Sequence, residues 1–363
     1  MSGNDIKEAE ALMHSAKKHT EKGLFKWKAN WDEAANDYEK AAKIFTYIKN
    51  IEKARDAWLK ASDAHERAGN QFFAARAMEC LAAFLAEQAI SNAGKGGNIN
   101  KNNSISLLNE AIGTYDKACH LYVQENKFDK GADVITKAAQ LINPTTASAR
   151  SSENLLGFSE EQKRQNLKRV TDLFCFAVNT LEEHEEEQKV YAVRLPDIYS
   201  TWMLTYLRSG DIPNAVKVLK RELGFESSVS KKGVFERLGQ PHNSAKLVLE
   251  VIVLCLSCGD IVWAQQEMGV LRNVPGFAGS REEVTVAALL DSFRERDVES
   301  LKDALKDQTL QFISAEVSKL AKKLKIQSTE ASGAPHPNPH NQQQQEQQQQ
   351  QQEPEIDPEE DIR

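Results

Sequence analysis

One repeat constrains this chain more than any other feature. Apolar or small residues at offsets 0, 3, 4, 7, 11 and 14 describe Trp31, Ala34, Ala35, Tyr38, Ala42 and Phe45. Ile51, Ala54, Trp58 and His65 follow the same template, with Arg55 and Ser62 as polar departures. Gln71, Ala74, Ala75, Met78, Ala82 and Leu85 follow it again, so the first three starts are 20 residues apart. Leu107, Leu108, Ala111, Tyr115 and Ala118 fit, and so do Phe128, Gly131, Ala132, Ile135, Ala139 and Ile142. Spacings of three and four place these residues on one face of a helix. Each unit is one amphipathic helix, and two make a hairpin of about 40 residues.

Ala34, Ala35, Ala74, Ala75 and Ala132 put methyl groups where larger side chains would hold neighbouring helices apart. An aromatic at the start of a helix and a Tyr two turns later fill the space between hairpins. Further on, Ile212, Ala215, Val216 and Leu219 follow a Gly210-Asp211 turn, and Ile261, Ala264, Met268 and Leu271 follow Gly259-Asp260. Strand signals are nearly absent. The expected fold is all-α: a tetratricopeptide-like, right-handed superhelical solenoid of helical hairpins, with a C-terminal helical bundle and a disordered tail. The expected divisions are 1–240 for the solenoid, 241–326 for the bundle, 327–352 for a Gln/Pro-rich linker and 353–363 for an acidic docking peptide. Residues 92–104 and 143–153, rich in Gly/Asn and in Pro/Ser/Thr, are expected to be loops. Leu310, Ile313, Val317, Leu320 and Leu324 predict a last helix over 308–326 that closes the bundle, with Lys319, Lys322, Lys323 and Lys325 beside the stripe.

Charge narrows the function. Residues 1–326 hold 45 bases and 45 acids, whereas residues 327–363 hold eight acids and Arg363, so the whole net charge of −7 lies in the tail. A neutral body argues against a general nucleic-acid binder but leaves room for a local basic face. No apolar run is long enough to cross a bilayer, the MSGNDIKEAE start lacks a signal-peptide pattern, and five cysteines fit reduced thiols, which together suggest a cytoplasmic chain.

No catalytic constellation emerges. Cys255-Leu-Ser-Cys258 lies at the C-terminal end of an apolar helix, where carbonyl ends disfavour a thiolate, and reads as core packing. Gly94-Lys95-Gly96-Gly97 lacks the strand and the Ser or Thr of a phosphate loop. The histidines show no metal-site spacing, and no metal or cofactor is expected. Two exposed candidates remain. Leu24, Phe25 and Trp27 interleaved with Lys26 and Lys28 suit a membrane interface, or else pack back onto the hairpin. Glu359, Glu360, Asp361 and Ile362 read as a docking peptide, or as a solubilising tail.

The stretches GLFKWKANWDEAANDYEKAAKIF (23–45), KARDAWLKASDAHE (53–66) and VPGFAGSREEVTVAALLDSF (274–293) resemble the soluble NSF attachment proteins (SNAPs), most closely the gamma type. The EEDIR terminus instead resembles the alpha and beta endings, with Ile362 in place of Leu, while the insertions at 92–104 and 143–161 and the Gln-rich linker depart from both patterns. The resemblance implies a non-enzymatic adaptor between SNARE complexes and the hexameric ATPase NSF, acting in vesicle trafficking and membrane fusion. It implies a basic concave face along the SNARE bundle (syntaxin-type and other helices), its residues unknown. It further implies a membrane contact at Leu24, Phe25, Lys26, Trp27 and Lys28, and an NSF contact at Glu359, Glu360, Asp361 and Ile362. The chain would then be cytoplasmic and peripheral to vesicle, Golgi, endosome or vacuole membranes. The alternative is a tetratricopeptide-like peptide-binding scaffold of the chaperone-cofactor kind, with a Lys/Asn-lined groove.

Overall fold

The computed structural model describes residues 2–21, 29–93, 98–142, 159–186, 189–225 and 232–326. Fifteen α-helices lie among them. In order they are α1 (Ser2–Thr20), α2 (Trp31–Tyr47), α3 (Ile51–Arg67), α4 (Gln71–Ala93), α5 (Asn98–Gln124), α6 (Phe128–Ile142), α7 (Glu160–His184) and α8 (Lys189–Arg208). Then come α9 (Ile212–Glu222), α10 (Val234–Arg237), α11 (Pro241–Ser257), α12 (Ile261–Leu271), α13 (Arg281–Glu295), α14 (Val298–Ala304), a 3-10 turn (Gln308–Gln311) and α15 (Ala315–Ala321). No strand occurs among the described residues. The chain divides into compact units Met1–Lys325 and Ile326–Arg363.

In the first half each helix packs on the one before and the one after it. The repeat positions supply those contacts: Ala34, Ala35, Ala42, Ala54, Ala74, Ala75 and Ala82 have no exposed surface, and Phe45 has 1%. Burying a side chain of Phe45's size contributes roughly 1.5–3 kcal/mol. Gly131 extends this logic, since a Cβ there would stand 3.1 Å from Val123 Cγ2 and 3.3 Å from Cys119 Sγ, so α5 and α6 approach closely. The polar departures have partners. Ser62, fully buried, donates to the Ala74 carbonyl at 3.1 Å, and Arg55 reaches Glu110 on α5. Helix starts are set locally, as Asn30 and Asn50 accept from backbone N–H groups three residues on.

The second half is organised around α11. It packs against α9, α10, α12, α13 and α15, and Val248 through Leu256 are all buried. A helix apolar on every side can only be a central one. Both Gly-Asp turns form as expected: Gly210 and Gly259 take φ +75° and +76°, and Asp211 and Asp260 cap α9 and α12.

Two expectations need correction. Residues 98–104, expected as loop, belong to α5, and α4 runs to Ala93. Ser104, Leu107 and Leu108 are buried against neighbouring helices, and that packing carries α5 back through Asn100, Lys101, Asn102 and Asn103, which lie at its surface. The single helix expected over 308–326 is broken. Asp307 Oδ1 accepts from both the amide and the hydroxyl of Thr309 at 2.8 Å, which tightens the chain into a 3-10 turn, and α15 starts afresh at Ala315. Its stripe still closes the bundle, with Leu310, Ile313, Val317 and Leu324 buried. The expected loop at 143–153, the linker at 327–352 and the peptide at 353–363 lie outside the described residues.

Candidate functional site

Charge is sorted along the helices although the body sums to zero. α2 carries four acids against two bases, and α13 does the same. α8 and α9 each carry three bases against one acid, and residues 163–169 (KRQNLKR) carry four bases and no acid. The basic stretches are therefore residues 163–169, α8 and α9, whereas α7 as a whole carries five acids against four bases.

Ser159 starts α7. Its hydroxyl accepts from Gln162 N at 3.2 Å while Gln162 Oε1 takes the Ser159 N–H at 2.9 Å, a reciprocal capping box. Glu160 and Glu161 in the first turn pair with Lys163 and Arg164 one turn later. Those pairs are solvent-exposed and weak, of order 0–1 kcal/mol, so a partner carboxylate can displace them. Val170 is the first buried residue of α7, so residues 160–169 stand clear of the core. A cavity of about 600 Å³ lies beside this stretch, lined by three bases (Lys163, Arg164 and, from the end of α8, Arg208), two acids (Glu160 and Asp211) and Leu167 among others. Against another side of the same turns, a groove of about 260 Å³ is lined by Asn109, Gln162, Gln165, Arg169 and aliphatic residues of α5. Asn166 and Ile142 line both. This combination offers guanidinium and ammonium donors to carboxylates, and amides to a peptide backbone.

A buried ionic network lies at the other end of α7. The Glu182 side chain of α7 is fully buried; it accepts from Arg237 Nη2 of α10 at 2.9 Å and lies 3.8 Å from Arg221 Nη2 of α9. Arg237 also pairs with Glu185, while Arg221 donates to Asn179 Oδ1 at 2.5 Å and to the Tyr199 hydroxyl at 3.2 Å. Arg221 also sits over the Trp202 ring, 5.7 Å from its centroid. Burial, reinforced by Glu182, pushes the Tyr199 phenol up. Four helices thus meet on one carboxylate, and the sequence reading missed this, because Glu182 looks like any other acid in the run Glu182-Glu183-His184-Glu185. The sequence reading also passed over KRQNLKR, although four bases without an acid were a signal that could have found it.

A second set of pairs ties alternate helices of the first half. Lys53 of α3 reaches Glu10 of α1, and Arg55 reaches Glu110 of α5. On other helices, Lys137 of α6 reaches Glu79 of α4, and Arg194 of α8 pairs with Asp133 of α6. Odd-numbered and even-numbered helices therefore form two layers.

The expected membrane-contact residues Leu24, Phe25, Lys26, Trp27 and Lys28 lie outside the described residues, as do Glu359, Glu360, Asp361 and Ile362. Cys255 is fully buried, which pushes its thiol up, and Cys258, exposed at the residue level, has its thiol raised by partial desolvation and by Asp260, so both move away from the thiolate that redox chemistry requires. Among the described residues no group of three His, Cys, Asp or Glu could hold a metal ion, and no helix is long and apolar enough to cross a membrane.

Comparison with known proteins adds four findings. The family model described as soluble NSF attachment protein, SNAP, matches residues 7–155. A gamma-soluble NSF attachment protein of Dictyostelium discoideum is 25% identical over 326 residues, covering 90% of this chain and 85% of that protein. One from Arabidopsis thaliana is 25% identical over 313 residues, covering 86% and 90%. Among solved structures, a circular tandem repeat protein with novel repeat topology and enhanced subunit contact surfaces aligns at 14% identity and TM-score 0.34, over 87% of this chain and 88% of that one, a level that carries no fold argument.

Proposed function

We propose that this chain, which is similar to the soluble NSF attachment proteins and most like the gamma type, is an adaptor for SNARE disassembly. In this reading it binds the assembled SNARE bundle and recruits and stimulates the ATPase NSF. Hydrolysis belongs to the partner, and this chain passes its force to the SNAREs. The observation that carries the contact is the basic stretch of α7 beside its cavity. Lys163, Arg164, Lys168 and Arg169 lie on the first turns of α7, whose opposite end Glu182 anchors, so acidic residues along a helical bundle meet a cluster of bases clear of the core. Charge complementarity of this kind favours the assembled bundle, which presents acids from several helices at once, over any single helix.

Two further contacts complete the reading. Leu24, Phe25 and Trp27, with Lys26 and Lys28, touch anionic lipid and raise the local concentration at membrane-anchored SNAREs. Glu359, Glu360, Asp361 and Ile362 engage NSF, charge serving encounter and Ile362 a pocket. The amide-lined groove at Asn109, Gln162 and Gln165 supports the second reading, a scaffold for linear peptides.

Pull-down with assembled SNARE bundle, separate SNARE helices and free acidic peptides decides between them. The adaptor reading expects capture of the bundle alone. Equal capture of bundle and separate helices would sink it, and capture of free peptides alone would favour the scaffold. Deleting residues 359–363 should leave bundle capture intact and lower NSF stimulation. Replacing Leu24, Phe25 and Trp27 with Ser should weaken activity only on liposome-anchored SNAREs.

A further inference from the structure

The last described helix is seated on a buried carboxyl that the adaptor contacts do not use. Glu222 at the end of α9 and Glu250 in the middle of α11 are 3% and 5% exposed, and their charges act on each other across the apolar core. Glu250 Oε1 accepts the Ser314 N–H at 2.5 Å, and Ser314 is the N-cap of α15, with no side-chain cap bond of its own. A buried carboxyl on the central helix therefore holds the entry to α15. From α15, Glu316 lies 3.9 Å from Arg208, which lines the basic cavity beside α7.

Charges on the other helices packed against α11 are mostly engaged elsewhere. Lys220 of α9 pairs with Glu267 of α12, Arg221 of α9 and Arg237 of α10 with Glu182, and Lys319 of α15 with Glu316. Glu283 of α13 accepts from Gly279 N, while Lys217 of α9 and Arg281, Asp291, Arg294 and Glu295 of α13 face solvent, with Glu236 of α10 and Glu282 of α13 half-exposed. On its own helix, Lys246 is the cation whose charge acts on Glu250.

We propose that the buried Glu250 carboxyl makes the seating of α15 proton-dependent, firm in mild acid and loosened as pH rises. Through Glu316 the same seating sets the Arg208 corner of the basic cavity. Only that last coupling rests on the adaptor reading.

The sign follows from burial. Desolvation lifts Glu222 well above the ordinary carboxyl value, and it lifts Glu250 to about 7 despite the Ser314 hydrogen bond. A Glu250 exposed by unseating titrates near 4.5. Between those values the seated form holds a proton that the unseated form has lost, so raising pH favours unseating. From pH 6 to pH 8 the unseated population should rise about tenfold.

Hydrogen exchange of residues 315–321 in the full chain without partners, corrected for intrinsic rates, reads this directly. The wild type should lose about tenfold protection between pH 6 and pH 8, and Glu250→Gln, which keeps an acceptor but cannot ionise, should lose none. Glu222→Gln serves as a second variant and should reduce the dependence, because it removes the facing acid. Unchanged protection in the wild type, or a dependence that survives in both variants, would overturn the proposal. Because no SNARE or NSF is present, its failure leaves the adaptor reading standing, and failure of bundle capture leaves the latch untouched.

Discussion

The two halves of the body solve helix packing in opposite ways. From α1 to α6 the contacts are an alanine seam, with polar exceptions such as Ser62 satisfied locally. From α7 to α15 the contacts gather on the apolar α11, with buried ionisable groups added at Glu182 with its arginines and at Glu250. Small side chains hold neighbours by shape, and only close approach is needed. A buried charge binds several helices at one point, and that point fails if one partner is removed. The difference separates a repetitive array from a hub that bears the basic region.

The largest expected effect probes the hub. Glu182→Ala leaves Arg237 and Arg221 without their buried carboxylate and should cost about 3–5 kcal/mol in denaturant unfolding. A loss below about 1 kcal/mol, as for a surface pair, would show that the network does not clamp the hub helices. The seam should answer less strongly. Ala75→Leu forces extra volume where α4 meets its neighbours and should cost about 1–3 kcal/mol. A neutral result would mean that the helices are free to separate, and the shape argument would fail.

Acidity distinguishes the halves by sign. In the array, the His65 hydrogen bond, aided by Lys43, holds the Glu39 carboxyl at about 2, below its ordinary 4.5. That contribution is present above pH 4.5 and is lost as pH falls towards 2. Glu250 runs the other way, its cost growing between 4.5 and about 7. Glu39→Gln should therefore flatten the acid limb of a stability–pH curve and leave the neutral limb alone. An unchanged acid limb would place acid sensitivity elsewhere.

The same contrast explains what could be read from residues alone. The array was legible because Ala and aromatic positions recur at fixed offsets, and each helix needs only its neighbour. The hub was legible in part, since LVLEVIVLCLSC can only be central, yet Glu250 inside it gave no hint of its tie to Ser314. Contacts of 46 to 64 residues in separation, such as Arg221 to Cys175 or Ser314 to Glu250, leave no periodic trace. The 92–104 stretch misled because Gly and Asn mark loops locally, while burial of Ser104 and Leu107 decided for helix. The basic face was expected without residues; KRQNLKR was not picked out, because only the burial of Val170 shows that the turns before it stand clear of the core.

One binding experiment tests the central claim. Lys168→Glu with Arg169→Glu reverses two bases of α7 for which no acidic partner occurs among the described residues, so the fold should be unperturbed by circular dichroism. Measured against assembled SNARE bundle at low and physiological salt, the account predicts a loss of at least about tenfold in affinity and a shallower salt dependence. Wild-type affinity and salt dependence in the reversed variant would contradict it.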